Sequence, residues 1–261
     1  MRRASQPPPV LDRPGAARGL IHPPALFARR PRIPPRVVLT YFPEALEALR
    51  AAGRLRPLLE LRREGAPMPF YTLGAGVGQV AVGLSGVGAP LAVMVLEELM
   101  ALGGRTFVSV GGAGALDGRL RPGLAFLPTR ALRGEGVSQA YQSRGRWSRP
   151  DRAALQALTA ACRAAGLACA RGAAWTTDAV YRETPALVRR RRAEGCRVVD
   201  MEAAALFAAA RFRGARLAVL LYAGDDVSGP VWRPRRWNQL VEVRARLLEL
   251  ALQAVRALAP Q

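Results

Sequence analysis

The chain has 261 residues, 50% of them hydrophobic and 22% charged, which is enough for one α/β-sized domain with a genuine core. All 39 basic residues are arginine, set against 19 acids for a net charge of +20. So uniform a cation reads as a codon habit, which weakens the usual inference from positive charge to a nucleic-acid partner. A lone histidine, His22, excludes Ser-His-Asp and Cys-His hydrolases, and the lack of lysine excludes a Walker phosphate loop.

Residues 1–35 are crowded with Pro and Arg and hold a single acid, Asp12. That composition cannot bury enough surface to offset ordering entropy, so a disordered tail is expected. The tail also lacks the aromatic interleaving of an RNA-binding arm. No apolar h-region follows Arg2-Arg3, and no run reaches the roughly 18 apolar residues of a membrane span. Cys162, Cys169 and Cys196 have no zinc-ligand spacing and read as buried reduced thiols. The expectation is a cytoplasmic protein with no metal, no cofactor and no membrane contact.

Residues 36–261 alternate short apolar or β-branched runs with Ala/Leu/Arg segments of helical period, the pattern of a single α/β domain. In chain order, strands are predicted at Val37–Tyr41, Val80–Leu84, Thr106–Val110, Leu124–Pro128, Ala173–Thr176, Val198–Asp200 and Leu217–Tyr222. Helices are predicted at Pro43–Ala52, Pro90–Leu102, Asp151–Ala165, Pro185–Glu194, Glu202–Phe212 and Arg235–Leu258. Pro43, Pro90 and Pro185 stand where first helical turns tolerate a missing N–H. The run from Arg189 to Arg192 spreads around its helix and reads as a solvated face.

Two glycine clusters follow strands. Ser85-Gly86-Val87-Gly88-Ala89-Pro90 enters a helix, and Gly111-Gly112-Ala113-Gly114-Ala115 follows Thr106–Val110. Strand ends and helix N-termini offer N–H groups to anions, and glycine admits a close approach to the backbone. Tight turns beneath helices would explain either cluster alone, and neither fits a dinucleotide fingerprint or a nucleophile elbow. More informative is Val198-Val199-Asp200-Met201-Glu202-Ala203-Ala204-Ala205, a strand entering an Ala-rich helix with Glu202 at the junction. A buried carboxylate needs hydrogen-bond donors, which sugar hydroxyls can supply. A second acidic site, Asp225-Asp226, follows the next strand.

Together with the segment 121–136 and Thr176-Thr177-Asp178-Ala179-Val180-Tyr181, these motifs make residues 36–258 resemble the nucleoside phosphorylase and nucleosidase superfamily. That superfamily includes uridine phosphorylase, hexameric purine nucleoside phosphorylase and methylthioadenosine nucleosidase. The resemblance implies a mixed, twisted central sheet flanked by helices, assembled as a homo-oligomer, either dimer or hexamer. It implies that Met201 and Glu202 hold ribose, that Val180 and Tyr181 lie against the nucleoside, and that Asp225 assists the departing base. Gly112, Ala113 and Gly114 would line the substrate.

Phosphate is the default acceptor under this resemblance, with Gly86, Gly88 and Ser109 at its loop. The sequence departs from the phosphorolytic pattern: Ser109 stands where the family's phosphate arginine would be, and Leu39-Thr40-Tyr41-Phe42-Pro43-Glu44 replaces the arginine-bearing turn after the first strand. Arg130 or Arg133 is then the candidate for a relocated phosphate contact. In nucleosidases a glutamate after the first strand activates water, and Glu44 falls there. It is equally an ordinary acid in a helix's first turn. Three readings stay open: a phosphorylase yielding free base and ribose 1-phosphate, a hydrolytic nucleosidase, and a non-catalytic nucleoside- or RNA-binding protein. The base is not specified.

Overall fold

The computed structural model describes residues 19–64 and 66–258. The expected opening elements follow a four-residue helix, α1 (Pro23–Leu26): strand β1 (Arg36–Thr40) and helix α2 (Pro43–Ala51). All five residues of β1 are buried, the mark of an interior strand covered on both faces. Pro43 sits in the first turn of α2, which buries Ala45, Leu46 and Leu49.

Two strands come next that the sequence pattern does not predict, β2 (Leu55–Leu61) and β3 (Met68–Leu73). Both contain proline, and β2 alternates no clean apolar face. They exist because they pair antiparallel with each other and β3 pairs with β4 (Val80–Leu84). Proline is tolerated towards the edge of a sheet.

Helix α3 (Ala89–Ala101) leads to β5 (Thr106–Ala115), then β6 (Ala125–Gly134), the two-residue β7 (Trp147–Ser148) and helix α4 (Arg152–Ala164). The order continues with β8 (Cys169–Thr177), α5 (Pro185–Ala193), β9 (Cys196–Asp200), α6 (Ala203–Phe212), β10 (Arg216–Asp226) and α7 (Val241–Ala257). The last helix starts six residues later than predicted. Arg235 and Arg236 have φ of 50° and 52°, a left-handed conformation that no helix continues through.

The single sheet runs β2-β3-β4-β1-β5, and β5 pairs with both β10 and β9. From there β10 pairs with β6, β6 with β8 and β8 with β9, so five strands close on themselves. Parallel pairs (β1 with β4 and β5, β10 with β5, β6 with β8, β8 with β9) mix with antiparallel ones. The predicted mixed α/β sheet is therefore present, and its closure is an addition. One core lies under α3 and α6, with Leu96, Phe107, Leu206 and Phe207; a second lies under α2, α4 and α7, with Leu46, Leu158 and Leu248; a third, smaller one holds Leu132, Trp175 and Val199.

Closure explains why β5 outruns its prediction. Its first half is sandwiched between β1 and β10, and its glycine-rich second half bends across to β9, with Gly114 opposite Val199. The predicted Gly111–Ala115 loop is thus strand. The same pairing extends β10 to Asp226, with Ala223 opposite Ala113.

Residues 1–18 of the expected disordered tail lie outside the described residues. Within 19–35, Ile33 is buried and donates its N–H to Leu102 at 3.0 Å, while the Pro35 carbonyl accepts from Arg105 and Thr106. Among the Arg189–Arg192 run, Arg191 departs from the solvated face. Its guanidinium lies over the Trp175 ring at 5.4 Å and pairs with Glu194. No helix of the described residues is long and apolar enough to cross a membrane, and no group of three or more metal-ligating side chains occurs among them.

Candidate active site

Glu202 is buried at the junction of β9 and α6. It occupies the N-cap position of α6, yet its side chain does no capping. Asp200 caps the helix in its place. The Asp200 Oδ2 accepts the Glu202 and Ala203 N–H groups at 3.2 and 2.6 Å, and Thr176 Oγ1 donates to its Oδ1 at 2.7 Å. Glu202 is thereby free to face away from its own helix, and its Oε1 accepts the Gly88 N–H at 2.6 Å. Gly88 holds φ at 97°, which positions that N–H at the start of α3. Burial, and then the neighbouring Asp200, hold the Glu202 carboxyl well above the usual carboxylate range. Met201 between them is half-buried.

Tyr41, just past β1, stands beside Glu202 and the hydroxyls of Ser85 and Ser109. Its phenol is raised well above its ordinary value by burial and then by Glu202. A Cβ on Gly111 would come within 2.9 Å of the Tyr41 ring. The other glycines of the cluster act alike. A Cβ on Gly112 would stand 3.1 Å from the Tyr222 ring, and one on Gly114 would stand 3.0 Å from Val199 and 3.4 Å from Asp225 Oδ1. The glycine stretch of β5 is thus the hub against which three side-chain groups lie, a use of glycine in a strand that close approach demands. Ala113, between them, is buried, while Gly86, with φ at 78°, turns the chain ahead of Gly88.

Around Gly112, Arg244 of α7 donates to Tyr222 Oη at 3.0 Å and to Glu44 Oε1 at 2.6 Å. Its guanidinium also faces the rings of Phe42, Tyr222 and Trp237. Glu44 therefore carries an ion-pair partner that the sequence pattern does not reveal, since 200 residues separate the two. At Gly114, Asp225 Oδ2 accepts the Trp232 indole N–H at 2.6 Å. Beside Asp225 lies Glu183, whose carboxyl is pushed up to about 7 by burial and then by the Asp225 charge. Asp226 is fully buried and pairs with Arg235 and Arg233, which secures the end of β10.

Several predicted residues are placed apart from this cluster. Arg133 donates to Ser138 Oγ at 2.9 Å, to Gln142 O at 2.6 Å and to the Gly145 carbonyl. It organises the loop after β6, and its donors are occupied. Arg130 lies over the Trp147 ring at 4.1 Å. Val180 and Tyr181 are 46% and 98% exposed, so within one chain neither packs over the cluster. Asp225 lies against Gly114 of the glycine strand, whereas Glu202 is linked to that strand through Tyr41. A cleft of about 460 Å³ opens elsewhere, between Arg149, Arg152, Arg211 and Leu217, and none of the residues above lines it.

Sequence reasoning misses Asp200, Tyr41, Glu183, Trp232 and Arg244 as parts of this region. Asp200 is visible as an acid two residues before Glu202. The others join only through strand pairing and loop return.

Comparison with known proteins adds to this geometry. The sequence profile of the phosphorylase superfamily matches residues 35–259. A guanosine phosphorylase of Halorubrum lacusprofundi is 33% identical over 146 residues, 56% of this chain and 61% of that protein. The alignment thus spans 61% of that relative's length. A uridine phosphorylase of Treponema pallidum is 28% identical over 198 residues, 70% of this chain and 74% of that one. The crystal structure of an AMP nucleosidase from Bacteroides thetaiotaomicron superposes with a TM-score of 0.68 at 25% identity, over 85% of this chain and 87% of the other.

Proposed function

The chain belongs to the phosphorylase superfamily, and on that premise we propose that it breaks the N-glycosidic bond of a nucleoside. One observation carries the reading: a buried carboxylate, Glu202, held by a backbone N–H and paired with no cation among the described residues. Such a group is costly to bury unless donors reach it, and the vicinal hydroxyls of a ribose are donors. Glycosidic cleavage develops positive charge on the sugar and negative charge on the base. Glu202 opposes the first. Asp225, held by Trp232, would meet the second by handing a proton to the departing base.

The guanosine and uridine phosphorylases among the relatives support phosphate as the acceptor, which would give ribose 1-phosphate and free base. A second reading, water, is supported by Arg133 and Arg130, whose guanidinium groups serve the β6 region. Val180 and Tyr181 support a homo-oligomer, since a second copy across them would cover apolar surface that one chain leaves in solvent. The test of the parent reading is base release from guanosine, inosine, adenosine and uridine. Glu202→Ala is expected to abolish it while leaving the melting transition cooperative. Near-normal release by that variant overturns the reading.

A further inference from the structure

The cleft of about 460 Å³ lies where α4 and β10 begin and α6 ends. Asp225 stands at the other end of β10, roughly 30 Å away at about 3.3 Å per residue, so this concavity is separate from the region around Glu202. Its size is that of a small-molecule site, which runs from about 300 to 1,000 Å³. Buried Phe207 and Leu217 give it an apolar floor, and Arg149, Arg152, Arg211 and Arg216 give it a cationic rim.

The composition scatters arginine over the whole surface, but elsewhere the side chain commonly meets an acid: Arg63 pairs with Glu98, Arg197 with Asp117 and Arg213 with Glu97. The guanidinium groups of Arg149, Arg152 and Arg211 make no hydrogen bond or ion pair among the described residues. They come to one cleft from two segments far apart in the sequence, the entry to α4 and the last turn of α6. Arg211 suits its place, since a helix C-terminus favours a cation. Arg152 does not. It opens the 13-residue α4, where the unpaired N–H groups already carry positive charge, so the helix gains nothing from it. Asp151, the acid that lines the cleft, has its Oδ1 committed to the Ala154 N–H at 2.9 Å. Cations gathered in a concavity with low-dielectric walls focus their field on whatever enters.

We propose that this cleft is a second binding site, in which Arg149, Arg152 and Arg211 hold an anion carrying two or more phosphate groups. The guanidinium fork matches phosphate oxygens in pairs, and the cleft is several times larger than one phosphate. Two sources share this chemistry, a nucleoside diphosphate and an inorganic polyphosphate. The apolar floor offers the first of them a surface for its base. The site lies on the same helix as the junction carboxylate, with Glu202 at the head of α6 and Arg211 in its last turn.

The experiment is calorimetric titration of the full chain with ADP, inorganic tripolyphosphate and orthophosphate at physiological ionic strength. Saturable binding of ADP or tripolyphosphate is expected, with orthophosphate much weaker. Tighter binding of ADP identifies a nucleotide site, and equal binding of the two identifies a site for the phosphate chain alone. Arg152→Ala/Arg211→Ala, whose replaced side chains are exposed, should keep the wild-type melting transition and weaken binding about 100-fold. Arg62→Ala/Arg189→Ala removes the same charge from exposed positions elsewhere and should bind as wild type does, as should Glu202→Ala. Equal losses in the two arginine pairs would show a response to bulk charge and overturn the site. Loss of ADP binding in Glu202→Ala would place the ligand with the nucleoside and also overturn it. So would orthophosphate binding as tightly as tripolyphosphate, or no binding of any of the three. None of these outcomes bears on N-glycosidic cleavage, which base release tests separately.

Discussion

The Glu202 carboxylate accepts the Gly88 N–H at 2.6 Å across 114 residues of chain, so the β9–α6 junction and the β4–α3 turn meet at one oxygen. Gly88 and the backbone N–H of Met201 both act on this carboxylate, and the lone pairs left over are open to a guest. Glu202→Gln, of the same size, is expected to lower kcat/KM for the nucleoside about 100- to 1000-fold. The wild-type profile should rise with pH, because burial and Asp200 keep Glu202 protonated above the usual carboxylate range and the charged form accepts the sugar hydroxyls. The glutamine variant should lose that limb. A pH series of kcat/KM for both proteins checks it.

The same kind of shift predicts a stability trend. A carboxyl raised in the folded state binds more protons there than in the unfolded chain, so stability falls as pH rises between the two values. For Glu183 this window runs from its ordinary 4.5 to about 7. Glu183→Gln should therefore match wild type in melting temperature near pH 4 and exceed it near pH 8. Thermal melts across that range decide the matter, and a difference constant with pH would contradict it.

Gly88 donates to Glu202 from φ 97°, where any other residue is strained by about 1–3 kcal/mol. Gly88→Ala is expected to lower stability by that amount and to weaken nucleoside binding, since relief of the strain turns the N–H away. Denaturant unfolding and a binding titration read the two effects separately.

Arg244 joins Glu44, Tyr222 and three aromatic rings. Arg244→Met leaves Glu44 and the Tyr222 hydroxyl without this partner, and should cost about 3 kcal/mol in urea unfolding. Glu44→Gln should cost only about 1 kcal/mol, because Glu44 is partly exposed, and should keep turnover within about tenfold. Loss of all turnover in Glu44→Gln would make Glu44 the group that activates the acceptor.

Much of this arrangement is legible in the sequence. Burial and helical period locate β1, α2, β4, α3 and α6 to within a residue or two, and the acid at the β9–α6 junction stands out because no packing role suits it. What sequence cannot show depends on distant pairing. β2 and β3 carry Pro57 and Pro69 and are strands only because each has a partner. Gly111–Ala115 looks like a loop until β9 and β10 flank it. Arg130 and Arg133 are candidates for phosphate because charge is visible in a sequence, whereas the carbonyls and the indole that occupy them are not. Tyr41 does not stand out for the converse reason: burial beside Glu202 is a property of surroundings.

The ring of five strands has one more consequence, for association. By pairing β5 with both β9 and β10, the chain consumes one lateral end of its sheet, and β2 is left as the long strand at the other. That strand exposes Arg56, Pro57 and Glu60, and its register with β3 slips between Pro57 and Leu59. Proline removes a ladder donor and charges resist a stacking neighbour. The architecture is therefore guarded against fibril-like growth by strand addition at this edge.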